Sequence, residues 1–349
     1  MECIKSALKC CFRMVNARPA SWVLGMHIMN DPSIGCVTLN QMLYIHKILE
    51  KFGMADCKPV ATPLPEKTVL RAATDEEAHD MRSYPYLQVI GSIMYAMLGT
   101  RPDIAYAVST LSQFTRTLHV QALKHLLRYL KGSAQYGITY SRDGGSLLGS
   151  HTNAVHNNIY GFTDSNYAMD PDTRRSVSGS IFLLARGPIL WSSKLQSTIS
   201  QSSTEAEYIA SAEATKEAIW LHRLMKDLKQ DVTSPTMLFI DNCGAQLLAK
   251  NPVNHCKTKH IDVRHHFIWE CMEDGSINLC SVPSTDNVAD ICTKPLGKVK
   301  FSFLHSMLGV VLLDGRPEQG GVLKSQALLL MAPHSNTIAL KPRLQADGT

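Results

Sequence analysis

The chain has no Cys-x-x-Cys pair and no regular cysteine framework, although it carries ten cysteines in 349 residues. Cys10 and Cys11 are adjacent and the others are scattered. This usage excludes a small disulfide-stapled scaffold and reads as reduced thiols in a soluble, intracellular protein. No stretch approaches the ~20 apolar residues that cross a bilayer, so no membrane partner is expected. The N-terminus lacks the charged, apolar and small-residue succession of a secretory signal. Charge is also modest, with 19% charged residues and a formal net charge of +5. That balance is compatible with nucleic acid without demanding it. The 45% hydrophobic content is ordinary for a globular chain, and the length suffices for two or three domains with real cores.

Four widely spaced carboxylates stand out in the C-terminal half. Asp164 closes the apolar run Ile159-Tyr-Gly-Phe-Thr-Asp, and Asp241 closes a second one, Met237-Leu-Phe-Ile-Asp. Glu207 lies one to two turns into a helical pattern that opens at Ser202, Ser203 and Thr204. Asp290 sits in a short acidic helix-like segment, Asp286-Asn-Val-Ala-Asp. Strand ends and helix faces are rigid mountings, which a metal site requires. Hard oxygen donors without a cysteine or histidine set point to magnesium or manganese, and four converging acids would form a two-metal phosphodiester site. Each acid has an ordinary alternative. Asp164 can begin an Asp-Ser-Asn turn, Asp241 can cap a helix, Glu207 and Asp290 can be solvated, and Glu205 can take the capping role beside Glu207.

The order of elements supplies a frame for these acids. Residues 22–29 and 36–39 read as a hairpin around a turn, followed by a helix over 42–52 that Asn40 caps and Gly53 ends. Helical patterns follow at 86–98, 102–115 and 119–131, with Gly99 and Gly132 placed as C-cap glycines and Pro102 in a first turn. The third helix carries Lys124, His125, Arg128 and Lys131 beside four leucines, which is either a solvated face or a phosphate track. A strand pair around the Asp143-Gly-Gly turn comes next. Strands at 159–164, 178–185 and 188–193 then precede a long helix over 203–228 and a strand at 236–241. Helices over 244–250 and 260–273, a strand at 276–282 and a last helix at 286–293 complete the pattern. Three strands followed by alternating helix and strand predict an α/β fold with a mixed sheet. The stretch after about 311 carries no usable motif.

Several segments resemble one known family. Tyr160-Gly-Phe-Thr-Asp-Ser-Asn-Tyr-Ala, Arg174-Arg-Ser-Val-Ser-Gly-Ser-Ile-Phe-Leu-Leu and Trp191-Ser-Ser-Lys-Leu-Gln are similar to the ribonuclease H region of copia-type retrotransposon polyproteins. So are Ser202-Ser-Thr-Glu-Ala-Glu-Tyr-Ile-Ala, Phe239-Ile-Asp-Asn, Lys259-His-Ile-Asp-Val-Arg-His-His-Phe-Ile and Asp286-Asn-Val-Ala-Asp-Ile-Cys-Thr-Lys. Upstream, Thr38-Leu-Asn-Gln-Met-Leu-Tyr-Ile, Tyr86-Leu-Gln-Val-Ile-Gly-Ser-Ile-Met-Tyr, Thr100-Arg-Pro-Asp-Ile-Ala-Tyr-Ala-Val and Leu127-Arg-Tyr-Leu-Lys-Gly resemble the end of the same element's reverse transcriptase. The resemblance runs from about 20 to 310. It implies a ribonuclease H-like mixed sheet flanked by helices over 155–300, preceded over 1–150 by a mainly helical thumb and connection remnant of a reverse transcriptase. A tail of unassigned role follows over 311–349.

By the same resemblance, Asp164, Glu207, Asp241 and Asp290 are the metal ligands and catalytic acids. Glu207 is chosen over Glu205 because it precedes the hydrophobic-hydrophobic-Ala step Tyr208-Ile-Ala. The implied reaction is hydrolysis of the RNA strand of an RNA–DNA hybrid with two magnesium ions, or manganese in their place. Lys194, Lys257 and Lys259 are expected phosphate contacts, together with Lys124, Arg128 and Lys131. The implied partners are the hybrid and the rest of a Pol polyprotein, in a cytoplasmic particle or the nucleus.

Departures from the family pattern limit these expectations. The stretch Cys280-Ser-Val-Pro-Ser-Thr-Asp-Asn has no histidine where many ribonucleases H carry one before the last helix. No Asp-Asp step occurs anywhere, so the paired aspartates of polymerisation are missing and the chain is read as starting downstream of them. Met14-Val-Asn-Ala-Arg-Pro matches the family poorly, and the junction from Phe114 to Leu123 reads as shortened. An inactive or repurposed remnant that folds and at most binds nucleic acid is the alternative. His255, Cys256, His260, His265, His266 and Cys271 offer zinc donor types, but their spacing matches no standard finger.

Overall fold

Alternating burial along short strands builds the first of two sheets in this computed structural model, which describes residues 6, 9–13, 20–71, 84–114, 119–142, 159–230, 235–242 and 259–313, with backbone alone at 259–265. In β3 (Cys36–Asn40), Cys36, Thr38 and Asn40 are buried while Val37 and Leu39 are half-buried. It pairs antiparallel with β2 (Met26–Asp31), which in turn pairs with β1 (Trp22–Val23). The expected hairpin is therefore present. On its other edge β3 meets β4 (Tyr136–Ser141), and β4 meets β10 (Val310–Leu312), closing the order β1-β2-β3-β4-β10. Both edges of β4 are thus occupied by β3 and β10. The expected partner beyond Asp143 lies outside the described residues.

Helix α1 (Met42–Lys51) begins where Asn40 Oδ1 accepts from Met42 N–H at 3.2 Å, and Gly53 follows its end with φ +66°. Helices α2 (Tyr86–Thr100), α3 (Ala105–Gln113) and α4 (Val120–Gly132) match the three expected patterns, with a 3-10 turn at Pro102–Ile104 ahead of α3. Gly99 and Gly132 are not caps. Both lie inside their helices, where a Cβ would stand 2.5 Å from Gln41 Oε1 and 2.9 Å from Pro59 Cβ. Close packing, which periodicity does not encode, sets those positions.

The second sheet contains β5 (Tyr160–Asn166), β6 (Val177–Leu184), β7 (Gly187–Leu195), β8 (Thr236–Ile240) and β9 (Ile277–Ser281), in the order β7-β6-β5-β8-β9. β6 runs antiparallel to both of its neighbours, β5 and β7, whereas β8 runs parallel to both β5 and β9. This is the mixed sheet that the order of elements predicts. Its central strand β5 is buried at every residue but the last, as a strand covered on both faces must be. Helices α5 (Ser203–Asp227) and α6 (Lys259–Glu273) cover one face, with Tyr208, Ala212, Ala218, Ile268 and Cys271 packed on Phe182, Leu238 and Leu279. The expected helix at 244–250 lies outside the described residues.

The opposite face joins a core that also holds Ile45, Leu123, Leu126 and Leu127 from α1 and α4. Polar contacts reinforce that junction: Trp191 Nε1–H donates to Met97 O at 3.1 Å and Ser109 Oγ–H to Ser193 O at 2.8 Å. A 3-10 turn at Val288–Cys292 and helix α7 (Lys298–Met307) then lead into β10. The expected last helix is thus a short 3-10 turn, and the stretch beyond 296 adds a helix and a strand that were not anticipated. Phe301, Leu304 and Leu308 bury at helical spacing, and Gly309 turns the chain with φ +67° against the Arg186 carbonyl. The described part of the region from 311 continues β10, and residues from 314 onward lie outside the described residues.

Candidate metal centre

Parallel strands place their carboxyl ends side by side, and β5 and β8 deliver Asp164 and Asp241 to the same end of the sheet. Asp164 lies inside β5, two residues before its end, while Asp241 directly follows β8. Glu207 arrives from α5, whose start is fixed by its own side chains. Ser202 Oγ accepts from Glu205 N–H at 3.1 Å, and the Glu205 carboxylate accepts from Gln201 N–H at 2.7 Å. Glu205 is thereby spent on capping. One turn on, Glu207 points inward, and its Oε1 accepts from Ser165 N–H at 3.2 Å.

Asp164, Glu207 and Asp241 each offer an oxygen within 4.8 Å of the others. Among the described residues this is the acid, histidine and cysteine group that could hold an ion. Asp164 is 1% exposed and Glu207 6%, and Glu207 Oε2 has no hydrogen-bond partner among the described residues. Burial pushes the Asp164 carboxyl up to about 7, with Asp290 and Asp241 adding to the rise and Lys294 and Thr293 opposing it. Burial likewise pushes Glu207 up to about 9, helped by Asp164 and Asp241. Three acids crowded in a low-dielectric setting with an orphaned oxygen form a site that favours a cation. The donor set is all oxygen and fits magnesium or manganese better than zinc.

Asp290 is not part of that trio. It is 1% exposed on its 3-10 turn, and its two oxygens are held by Lys294 at 2.5 Å and by Lys300. Lys294 also reaches Asp164 Oδ2 at 3.3 Å, so the fourth acid joins the others through an ammonium. Burial alone would lower the Lys294 pKa, but Asp164 and Asp290 raise it overall. Thr293 Oγ1–H donates to Asp164 Oδ2. Asn287 anchors the turn, its Nδ2–H donating to Thr163 O at 3.0 Å and its Oδ1 accepting from Ala289 N–H at 3.2 Å. Gly179, opposite Asp164 in register, leaves room for the turn, since a Cβ there would lie 2.6 Å from Thr293 Cγ2.

Sequence reasoning overlooked Ser165, Asn287, Thr293, Lys294 and Lys300. Only the i,i+4 spacing of Asp290 and Lys294 was open to reading. Of the expected phosphate contacts, Lys194 is exposed and lines a cleft of about 170 Å³ with Ser178, Ser180, Ser192, Gln196 and Glu213. Ser178 pairs with Ser165, which places this cleft next to the acids. On α4, Lys124 is exposed with its Nζ 5.7 Å from the Tyr84 ring, and Lys131 is half-buried. Arg128 donates to Lys58 O at 2.7 Å, which engages it in holding a loop. Lys257 lies outside the described residues, and Lys259 is the first residue of α6.

The other donor types behave differently from a metal set. Cys271 is buried in the α5–α6 core, where burial pushes its thiol up to about 11, and His266 is exposed. His255 and Cys256, and the side chains of His260 and His265, lie outside the described residues.

No protein-family model matches the chain. It is 37% identical over 314 residues to the retrovirus-related Pol polyprotein from transposon TNT 1-94 of Nicotiana tabacum, covering 88% of this chain and 23% of that protein. It is 36% identical over 275 residues to the retrovirus-related Pol polyprotein from transposon RE1 of Arabidopsis thaliana, covering 78% of this chain and 18% of that protein. The chain therefore spans about a fifth of the length of these relatives. Among solved structures, LC11-RNase H1 in complex with an RNA/DNA hybrid is 15% identical with a TM-score of 0.30, covering 39% of this chain and 94% of that one.

Proposed function

The chain belongs to the retrovirus-related Pol polyproteins of copia-type transposons, and we propose that its carboxylate cluster is the centre of a metal-dependent endonuclease of ribonuclease H type, which hydrolyses the RNA strand of an RNA–DNA hybrid. The observation that carries this reading is the trio of buried Asp164, buried Glu207 and half-buried Asp241, with oxygens within 4.8 Å and Glu207 Oε2 unpartnered among the described residues. Those three residues would hold magnesium, or manganese, and Asp290 is the fourth acid of the proposed site. A divalent ion held there stabilises charge on the phosphodiester and lowers the pKa of water.

The chain's own residues set the stage. Ser165 N–H orients Glu207, Thr293 orients Asp164, and the burial of both acids keeps bulk water from screening them. The exposed Lys194 and the serine-lined cleft beside it supply phosphate and sugar contacts, with discrimination resting on groove shape and 2′-hydroxyls. Residues 1–150 are read as the end of a reverse transcriptase, with the exposed Lys124 as a further phosphate contact, and the rest of a Pol polyprotein is its partner. Among the described residues, no helix is long and apolar enough to cross a membrane.

A non-catalytic remnant is the second reading, favoured by the capture of Asp290 by two lysines. Cleavage of a labelled hybrid with magnesium or manganese separates the two. Wild type is expected to cut the RNA strand and Asp241→Asn to lose at least about a hundredfold in rate, in line with the loss of one charge-stabilising group. No cleavage by wild type with either metal would establish the remnant, and full activity in Asp241→Asn would show that the acids are wrongly assigned.

A further inference from the structure

The ammonium of Lys294 stands where a cation shared by Asp164 and Asp290 would have to be coordinated. It is 2.5 Å from Asp290 Oδ1 and 3.3 Å from Asp164 Oδ2, while Lys300 holds the remaining Asp290 oxygen. The two carboxylates are almost fully buried, and the lysine side chain that joins them is 31% exposed. Glu207 keeps one oxygen with no hydrogen-bond partner among the described residues. One part of the acid cluster therefore has its positive charge built in, and the other part lacks it.

We propose that Lys294 is a resident cation that divides the four acids into two unequal positions: one open to a divalent ion at Asp164, Glu207 and Asp241, and one closed by the ammonium between Asp164 and Asp290. This inference rests on the reading of the acids as metal ligands. It makes Lys294 a positioning residue that sets metal stoichiometry. A second divalent ion a few ångströms from the first must expel the ammonium, because like charges at that separation in a buried setting repel strongly. The chain therefore takes up one ion tightly, and a second only when Lys294 leaves its two carboxylates.

The test is calorimetric titration of the metal-free full chain with manganese, without nucleic acid, so that binding is read apart from catalysis. Wild type is expected to bind one ion per chain. Lys294→Met keeps the apolar stem and removes the charge, and it is expected to bind two. Lys294→Gln serves as a second neutral variant in case the first does not fold. Lys300→Met is expected to stay at one ion, because Lys300 pairs with Asp290 and leaves the ammonium of Lys294 in place. Two ions in wild type, or a single ion in both neutral Lys294 variants, would overturn the proposal. Asp241→Asn distinguishes this failure from a failure of the underlying site. If that variant binds manganese as wild type does, the trio is not the metal site. If it loses the ion while the Lys294 variants gain none, only the role of Lys294 falls.

Discussion

Glu207 is the residue on which the electrostatics of the site bear hardest. Its carboxyl is pushed up to about 9 by burial and by Asp164 and Asp241, while that of Asp164 is pushed up to about 7. Both acids bind protons more tightly in the folded chain than in the unfolded one, whose ordinary values are 4.5 and 3.8. Stability contributed by such groups is fully present below pH 4 and is lost as pH rises through about 7 for Asp164 and about 9 for Glu207. The metal-free protein should therefore be less stable at pH 8 than at pH 5, by on the order of a few kcal/mol, and melt at a lower temperature. Glu207→Gln should flatten that dependence and raise the melting temperature at pH 8, while abolishing the stabilisation expected from magnesium in wild type. Thermal unfolding at both pH values, with and without magnesium, checks this. A Glu207→Gln protein less stable than wild type at pH 8 without metal would mean that Glu207 is paired in a way its contacts do not reveal.

At the scale of elements, the 3-10 turn at Val288–Cys292 decides where Asp290 and Lys294 can be. It is clasped to β5 by Asn287 and laid across β6 at Gly179. A Cβ at 179 would also meet Cys292 Cβ at 2.9 Å and Ala289 O at 3.1 Å, which leaves little freedom to adjust. Gly179→Ala should cost about 1–3 kcal/mol by overpacking. It should also shift the turn, weakening manganese binding several-fold while the far-ultraviolet dichroism stays that of wild type. Unchanged affinity would show that the turn has slack. This element also marks the limit of what the sequence made legible. Apolar runs located β5 and β8 and the Ser202–Glu205 cap located α5, because strand and helix periodicities are local. The turn itself was placed within a few residues. Its reach to Asp164 joins positions 129 apart through Thr293, and no local periodicity encodes that distance. The same holds for Gly99 and Gly132, which look like caps in the chain and prove to be close contacts in space. Helix α7 and β10 were missed because the site motifs end before them, although Phe301, Leu304 and Leu308 carry a helical spacing.

Across the whole molecule, one buried polar network ties the N-terminal helices to the end of the described chain. Arg101 and Asp103 pair at 2.7 Å with both side chains fully buried. Tyr129 O–H donates to Asp103 Oδ2 at 2.6 Å, and Arg101 donates to Ser133 O at 2.9 Å. His305 of α7 comes within 3.8 Å of Asp103, with burial lowering its pKa and Asp103 opposing that shift. The hydrophobic core around this network contains Leu123, Leu127 and Tyr129 from α4 together with Phe162, Val288 and Leu304 from the strands and helices that carry the site. Such an arrangement predicts joint rather than stepwise unfolding. Asp103→Ala leaves Arg101 buried without its partner, which costs about 3–5 kcal/mol. Because the core is shared, that loss should lower a single transition, with Trp191 fluorescence at the β7–α2 contact and far-ultraviolet dichroism tracing the same urea curve in wild type and variant. Two separate transitions, with the metal-binding signal surviving the first, would mean that the sheet bearing the acids stands without the helices packed beneath it. A single shifted transition would make the N-terminal helices a structural requirement of the metal centre, even though none of the four acids comes from them.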